Sequence, residues 1–127
     1  MKRIEVFVPA DKTSLVVDEI KKAGAKGLTV FSARGQGEGA RPMVEVSRGT
    51  KREVAEYNEI DSIVTIVDDS KADAVITAIV DVARTGYKGD GKIFVSTIDD
   101  AIDIASKQKG STALDLIDIT INTTSSL

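Results

Sequence analysis

The chain has 127 residues, 42% apolar and 29% charged, with 17 basic and 20 acidic side chains and a formal net charge of -3. That is length enough for one domain with a real core, and the balance excludes a disordered chain and a basic nucleic-acid footprint. With no Cys and no His, disulfides, thiolate nucleophiles, thiolate metal sites and the commonest general base are all excluded, so a non-enzyme is expected.

No apolar run approaches a membrane span, and the start lacks the long apolar segment of a secretory signal, so no membrane insertion and a cytoplasmic location are expected. Residues 2 to 8 alternate, with Ile4, Val6 and Val8 on one face and Arg3, Glu5 and Phe7 on the other, the period of a strand. Pro9 ends it. From Asp11 the spacing changes to Leu15, Val16, Ile20 and Ala23, a helical stripe with Lys21 and Lys22 in its last turn and Gly24 as its stop. Residues 28 to 33 read as a second strand.

Residues 34 to 59 behave differently. Gly35, Gly37, Gly39 and Pro42 interrupt regular structure, charges of both signs follow, and apolar residues are sparse. So long a stretch inside a domain reads as a functional loop, with room for a short extended arm at Met43, Val44 and Val46. Strand character returns at Ile60 to Val67, and Asp68, Asp69 and Ser70 supply caps for a helix through Val75, Ile79 and Ala83.

The second unit repeats the first at one constant offset: Val8, Lys12, Val16, Ile20 and Gly27 match Val67, Lys71, Val75, Ile79 and Gly86. A strand, helix and strand appearing twice predicts an α+β, ferredoxin-like βαββαβ split-βαβ sandwich with both helices on one face. The other face then lacks a helical cover and invites a closed symmetric oligomer. This unit is assigned to residues 1–110, with the mobile loop at about 36–59, and residues 111–127 to a C-terminal tail. Near that tail, Thr97 is expected to cap a short helix with Ile98, Ala101, Ile102 and Ala105 on one face. Ile117 to Asn122 alternates like an extra edge strand.

Between the second helix and the last strand, Thr85-Gly86-Tyr87-Lys88-Gly89-Asp90-Gly91-Lys92 crowds glycines beside lysines. Such a run lets backbone N–H groups turn toward an anion, with Lys92 adding charge to a phosphate. It equally suits a helix stop at Gly86 and a tight turn at Gly89 and Gly91 that needs no ligand.

Thr85-Gly86 followed by Gly89-Asp90-Gly91-Lys92-Ile93-Phe94-Val95 resembles the signature of the PII nitrogen-regulatory signal-transduction family, as do Met1 to Glu5 and Gly24 to Val30. The resemblance implies a homotrimer that binds ATP or ADP between subunits and controls a partner protein, such as a transporter, enzyme or regulator, through the mobile loop. Carried over by position, Gly35, Gly37, Gly89, Asp90, Gly91 and Lys92 form one side of the nucleotide cleft, and Thr29 faces the base from the neighbouring subunit. Arg48, Gly49, Lys51 and Arg52 fall on the partner-binding part of the loop.

Other family positions are changed. Asp103 and Ala105 stand where the family has an Arg-x-Arg that pairs with phosphates, leaving Lys88, Lys107 and Lys109 as candidate replacements. Glu38-Gly39-Ala40-Arg41 replaces the segment carrying a glutamine that helps bind magnesium, ATP and 2-oxoglutarate. Tyr57-Asn58-Glu59-Ile60 replaces the segment carrying a lysine that pairs with 2-oxoglutarate. These changes speak against 2-oxoglutarate sensing and leave magnesium open. The alternatives are a PII-like sensor of another metabolite such as bicarbonate, a CutA-like structural trimer without nucleotide, and slow phosphate hydrolysis by Lys92, Asp90 and Glu38.

Overall fold

The N-terminal alternation becomes strand β1 (Lys2–Pro9), whose Ile4, Val6 and Val8 are buried while Arg3, Glu5 and Phe7 point to the other side. The computed structural model describes residues 1–38, 41–46, 49 and 51–115. After a 3-10 turn at Ala10–Lys12, helix α1 (Thr13–Lys22) and strand β2 (Thr29–Gly35) follow. Strands β3 (Met43–Val46) and β4 (Lys51–Val54) form a separate antiparallel pair, and strand β5 (Asn58–Val67) leads into helix α2 (Asp69–Ala83) and strand β6 (Lys92–Thr97). A 3-10 helix at Gly110–Asp115 closes the described chain.

The main sheet has the order β2-β5-β1-β6 with every neighbour antiparallel, the arrangement of a ferredoxin-like split βαβ fold. Both helices pack on one face. Val16 and Ile20 from α1 and Ala72, Val75, Ile79 and Ala83 from α2 meet Ile4, Val6, Val8, Ile63 and Val67 in one core. Each buried Ile or Val there contributes roughly 1.5–3 kcal/mol of transfer free energy. The matched pairs Val8 and Val67, Val16 and Val75, and Ile20 and Ile79 are all core residues, so the internal repeat is structural. Its glycine match is not, because Gly86 has φ +93° and Gly27 is not among the positive-φ glycines.

Local chemistry sets the helix ends. Gly24 takes φ +108° while the Ala25 amide donates back to the Ile20 carbonyl at 3.3 Å, closing α1. Asp68 caps α2, its carboxylate accepting from the Ser70 amide at 3.1 Å. The Ser70 hydroxyl and amide hold the Asp68 carboxyl below its usual pKa. Leu15, expected on the apolar stripe of α1, is half exposed because Val16 and Ile20, one turn apart, take the core face.

The expected helix after Thr97 does not form. Residues 98–109 make a narrow hairpin in which Ile102 bridges Lys109 and the Asp103 amide donates to the Gln108 carbonyl at 2.9 Å. The Asp103 carboxylate accepts from the amide and hydroxyl of Ser106. Short acidic side chains that bond nearby backbone favour such turns over helix, and Ile102, expected on the apolar face of that helix, stays exposed. The edge strand expected at Ile117 to Asn122 lies outside the described residues.

The face opposite the helices carries rows that mix aromatic and aliphatic side chains with polar ones. Residues opposite one another in register share a face, so Phe31, Ser62, Phe7 and Lys92 form one row and Thr29, Val64, Glu5 and Phe94 the next. Phe7 and Phe94 meet edge to face at 6.0 Å. Glu5 accepts from Arg3 at 3.2 Å and from the Ser62 hydroxyl at 3.0 Å, which lowers its pKa in that order of effect.

Candidate functional site

The glycine loop joins α2 to β6. Its shape is set by Asp90, whose Oδ2 accepts from the amides of Thr85 at 2.8 Å and Gly86 at 2.9 Å while Oδ1 accepts from the Thr85 hydroxyl. The Thr85 hydroxyl in turn accepts from the Tyr87 amide at 3.3 Å. These bonds, the hydroxyl first, hold the Asp90 carboxyl below its usual pKa, so it is charged at neutral pH. Asp90, expected among the ligand contacts, therefore uses both carboxylate oxygens inside the loop.

The glycines divide the remaining work. Gly91 has φ +116°, and a Cβ on it would lie 2.0 Å from the Phe7 carbonyl oxygen, so this residue lets the loop press against β1. Gly89 has φ +98° with nothing within 4 Å of a Cβ position, so its backbone is open to close approach from outside. Lys92 starts β6 opposite Phe7, and its side chain makes no hydrogen bond or ion pair among the described residues. Arg84 lies close by, its Nη2 3.7 Å from a Cβ position at Gly86, and its charge adds to the lowering at Asp90.

Gly35 and Gly37 reach the same end of the sheet from β2. Gly35 pairs with Asn58, and a Cβ there would meet the Ile60 Cδ1 at 2.8 Å; Gly37 has nothing within 4 Å. Lys88 connects the two loops, its Nζ lying 3.5 Å from Glu38 Oε2. Thr29 is not brought to this place. It sits on β2, three strands from β6, roughly 14 Å away at ordinary strand spacing. Within one chain it cannot meet the glycine loop; a second copy would have to supply it.

The loop at about 36–59 is an arm with a closed neck. Gln36 Nε2 and Arg41 Nη1 both donate to the Glu56 carbonyl, at 2.7 and 2.9 Å, and the Arg34 guanidinium stacks over Tyr57 at 5.3 Å. Beyond the neck, Met43 faces Val54 and Val46 faces Lys51 across the β3–β4 pair. Of the expected partner contacts, Gly49 is in the turn with φ +81°, Lys51 pairs with Glu53 at 3.0 Å, Arg52 faces Glu45, and Arg48 lies outside the described residues. No group of three or more acidic side chains able to hold a metal occurs among the described residues.

Sequence reasoning missed Thr85, Arg84 and Gln36. The spacing of a hydroxyl residue, a glycine and a later Asp in Thr85-Gly86 and Asp90 is a signal for a side chain folding back on loop amides. Gln36 and Arg84 leave no comparable signal.

A family model described as nitrogen regulatory protein P-II matches residues 1–108. This chain belongs to the P-II family. It is 36% identical to the nitrogen regulatory protein P-II of Rhizobium meliloti over 117 residues, which cover 92% of this chain and all of that protein. It is 34% identical to the P-II protein of Nostoc punctiforme over 114 residues, covering 90% of this chain and all of that one. Among solved structures, Bacillus subtilis GlnK superposes with a TM-score of 0.70 at 30% identity, covering 89% of this chain and 97% of that chain. The P-II name is that of a regulatory protein. No helix among the described residues is long and apolar enough to cross a membrane.

Proposed function

We propose that this P-II family chain is a non-catalytic regulator that binds ATP or ADP at the glycine loop, in a cleft between subunits of a homotrimer. In this reading the arm at about 36–59 engages a partner protein, and the bound nucleotide biases the conformation of that arm. The observation that carries it is the self-shaped loop. Asp90 ties down the Thr85 and Gly86 amides, while the open backbone at Gly89 and the Lys92 side chain, unpaired among the described residues, suit a phosphate. Thr29, too distant within the chain, would reach the base from a neighbour across the uncovered apolar sheet face.

A second reading within the same class has support at the neck. Glu59, at the place where the family resemblance expects a lysine, faces Arg34 in the β2–β5 register. A carboxylate there disfavours a dicarboxylate ligand, so the nucleotide would act without 2-oxoglutarate, with bicarbonate as the alternative co-ligand.

Calorimetric titration with ATP, ADP and AMP, each with and without magnesium, 2-oxoglutarate and bicarbonate, tests both. Lys92→Ala is expected to weaken nucleotide binding by about tenfold or more, the scale of one charge-assisted phosphate contact, while the oligomer persists. Unchanged affinity in that variant would refute the placement of the phosphates.

A further inference from the structure

The glycine loop and the arm touch through the pair of Lys88 and Glu38 at 3.5 Å. Lys88 lies between Gly86 and Gly89, both at positive φ, and so flanks the backbone that would approach an anion. Glu38 offers that lysine a carboxylate, the chemical stand-in within this chain for a phosphate oxygen. Both side chains are largely exposed, at 75% and 86%, so the pair is weak and readily exchanged.

The two lysines beside the loop are thus unequal. Lys92 has no partner among the described residues, whereas Lys88 is engaged by Glu38. Lys92 is available to one phosphate, and a second that reaches Lys88 has to compete with Glu38 for it. Glu38 also stands just beyond Gln36, whose amide is fixed to the Glu56 carbonyl at the neck. Whatever moves Glu38 therefore acts on the arm beside its neck.

Resting on the nucleotide reading above, we propose that Glu38 is a built-in competitor for Lys88. A nucleoside diphosphate or longer displaces it and so signals to the arm, whereas a monophosphate leaves the pair intact.

The test measures ADP and AMP affinity at fixed ionic strength for the full chain, Glu38→Gln, Lys88→Met and the double variant. Glu38→Gln is expected to tighten ADP about two- to fivefold, the range an exposed pair can carry, to leave AMP unchanged, and to have no effect on the Lys88→Met background. ADP binding that appears only in Glu38→Gln would support the same competition in stronger form. Equal effects on ADP and AMP, an effect that survives in Lys88→Met, or none on ADP would overturn the competition while leaving the nucleotide reading standing. Failure of both nucleotides to bind any of the four proteins would overturn both.

Discussion

Four glycines at one end of the sheet carry graded structural demands, and alanine substitutions at them separate backbone strain from steric exclusion. Gly37 has ordinary φ and nothing within 4 Å of a Cβ position, so Gly37→Ala is expected to change stability by less than about 0.5 kcal/mol. Gly35→Ala meets only the end of a flexible side chain, Ile60 Cδ1 at 2.8 Å, which can rotate away. Gly89→Ala sits in open space but at φ +98°, so it bears backbone strain alone, about 1–3 kcal/mol. Gly91→Ala bears the same strain at φ +116° and also places a methyl 2.0 Å from the Phe7 carbonyl oxygen. That contact is backbone, between hydrogen-bonded strands, so relief requires β1 and β6 to separate. Overpacking of this kind adds about 1–3 kcal/mol, for a total of roughly 2–6 kcal/mol against a domain stability of about 5–15 kcal/mol. Urea unfolding at one fixed protein concentration reads the series, because any self-association would make midpoints concentration-dependent. A Gly91→Ala cost no greater than that of Gly89→Ala would refute this ordering.

The uncovered sheet face supplies another test: Phe31→Asp puts a charge in the row with Phe7 and Lys92, and light scattering should then give a mass near the 13.5 kDa of one chain. An unchanged oligomer would show that this face is not the interface. Asp90 has a pKa lowered by its loop bonds, so its contribution to loop order is present above the usual Asp value and lost only as pH falls through the depressed one. The Thr85 and Gly86 amide resonances should accordingly titrate with a midpoint below roughly 3.9, and a midpoint at or above that value would contradict the bonding described. Replacing residues 41–55 by a short flexible linker should leave the oligomer intact and remove partner binding, since Gln36 still holds the Glu56 carbonyl at the neck and β3 pairs with β4 rather than with the main sheet. A partner still captured by that variant would remove the arm from the account.

Much of this fold was legible because burial writes a period into the chain. Ile4, Val6 and Val8 alternate, and Val16 with Ile20 and Val75 with Ile79 recur at helical spacing, each set facing one core. The same rule failed after Thr97, where Ile98, Ala101, Ile102 and Ala105 imitate an apolar stripe but Asp103 bonds Ser106 and turns the chain. Local polar bonding won there over a weak pattern. At the candidate site, the glycine positions were readable from the loop sequence, whereas the inward role of Asp90 was not, because an Asp beside glycines looks alike whether it faces a ligand or its own amides. The pair of Lys88 and Glu38 was unreadable for a different reason: it joins two loops distant in sequence, and only the sheet order brings them to one end.

The claim on which the account turns is that a nucleotide phosphate is held by the Gly89–Lys92 backbone. Amide NMR during an ADP titration measures this most directly. The largest shifts are expected on Gly89, Gly91 and Lys92, with smaller ones at Lys88 and Glu38. Shifts confined to other parts of the chain, or none at saturating ADP, would contradict it.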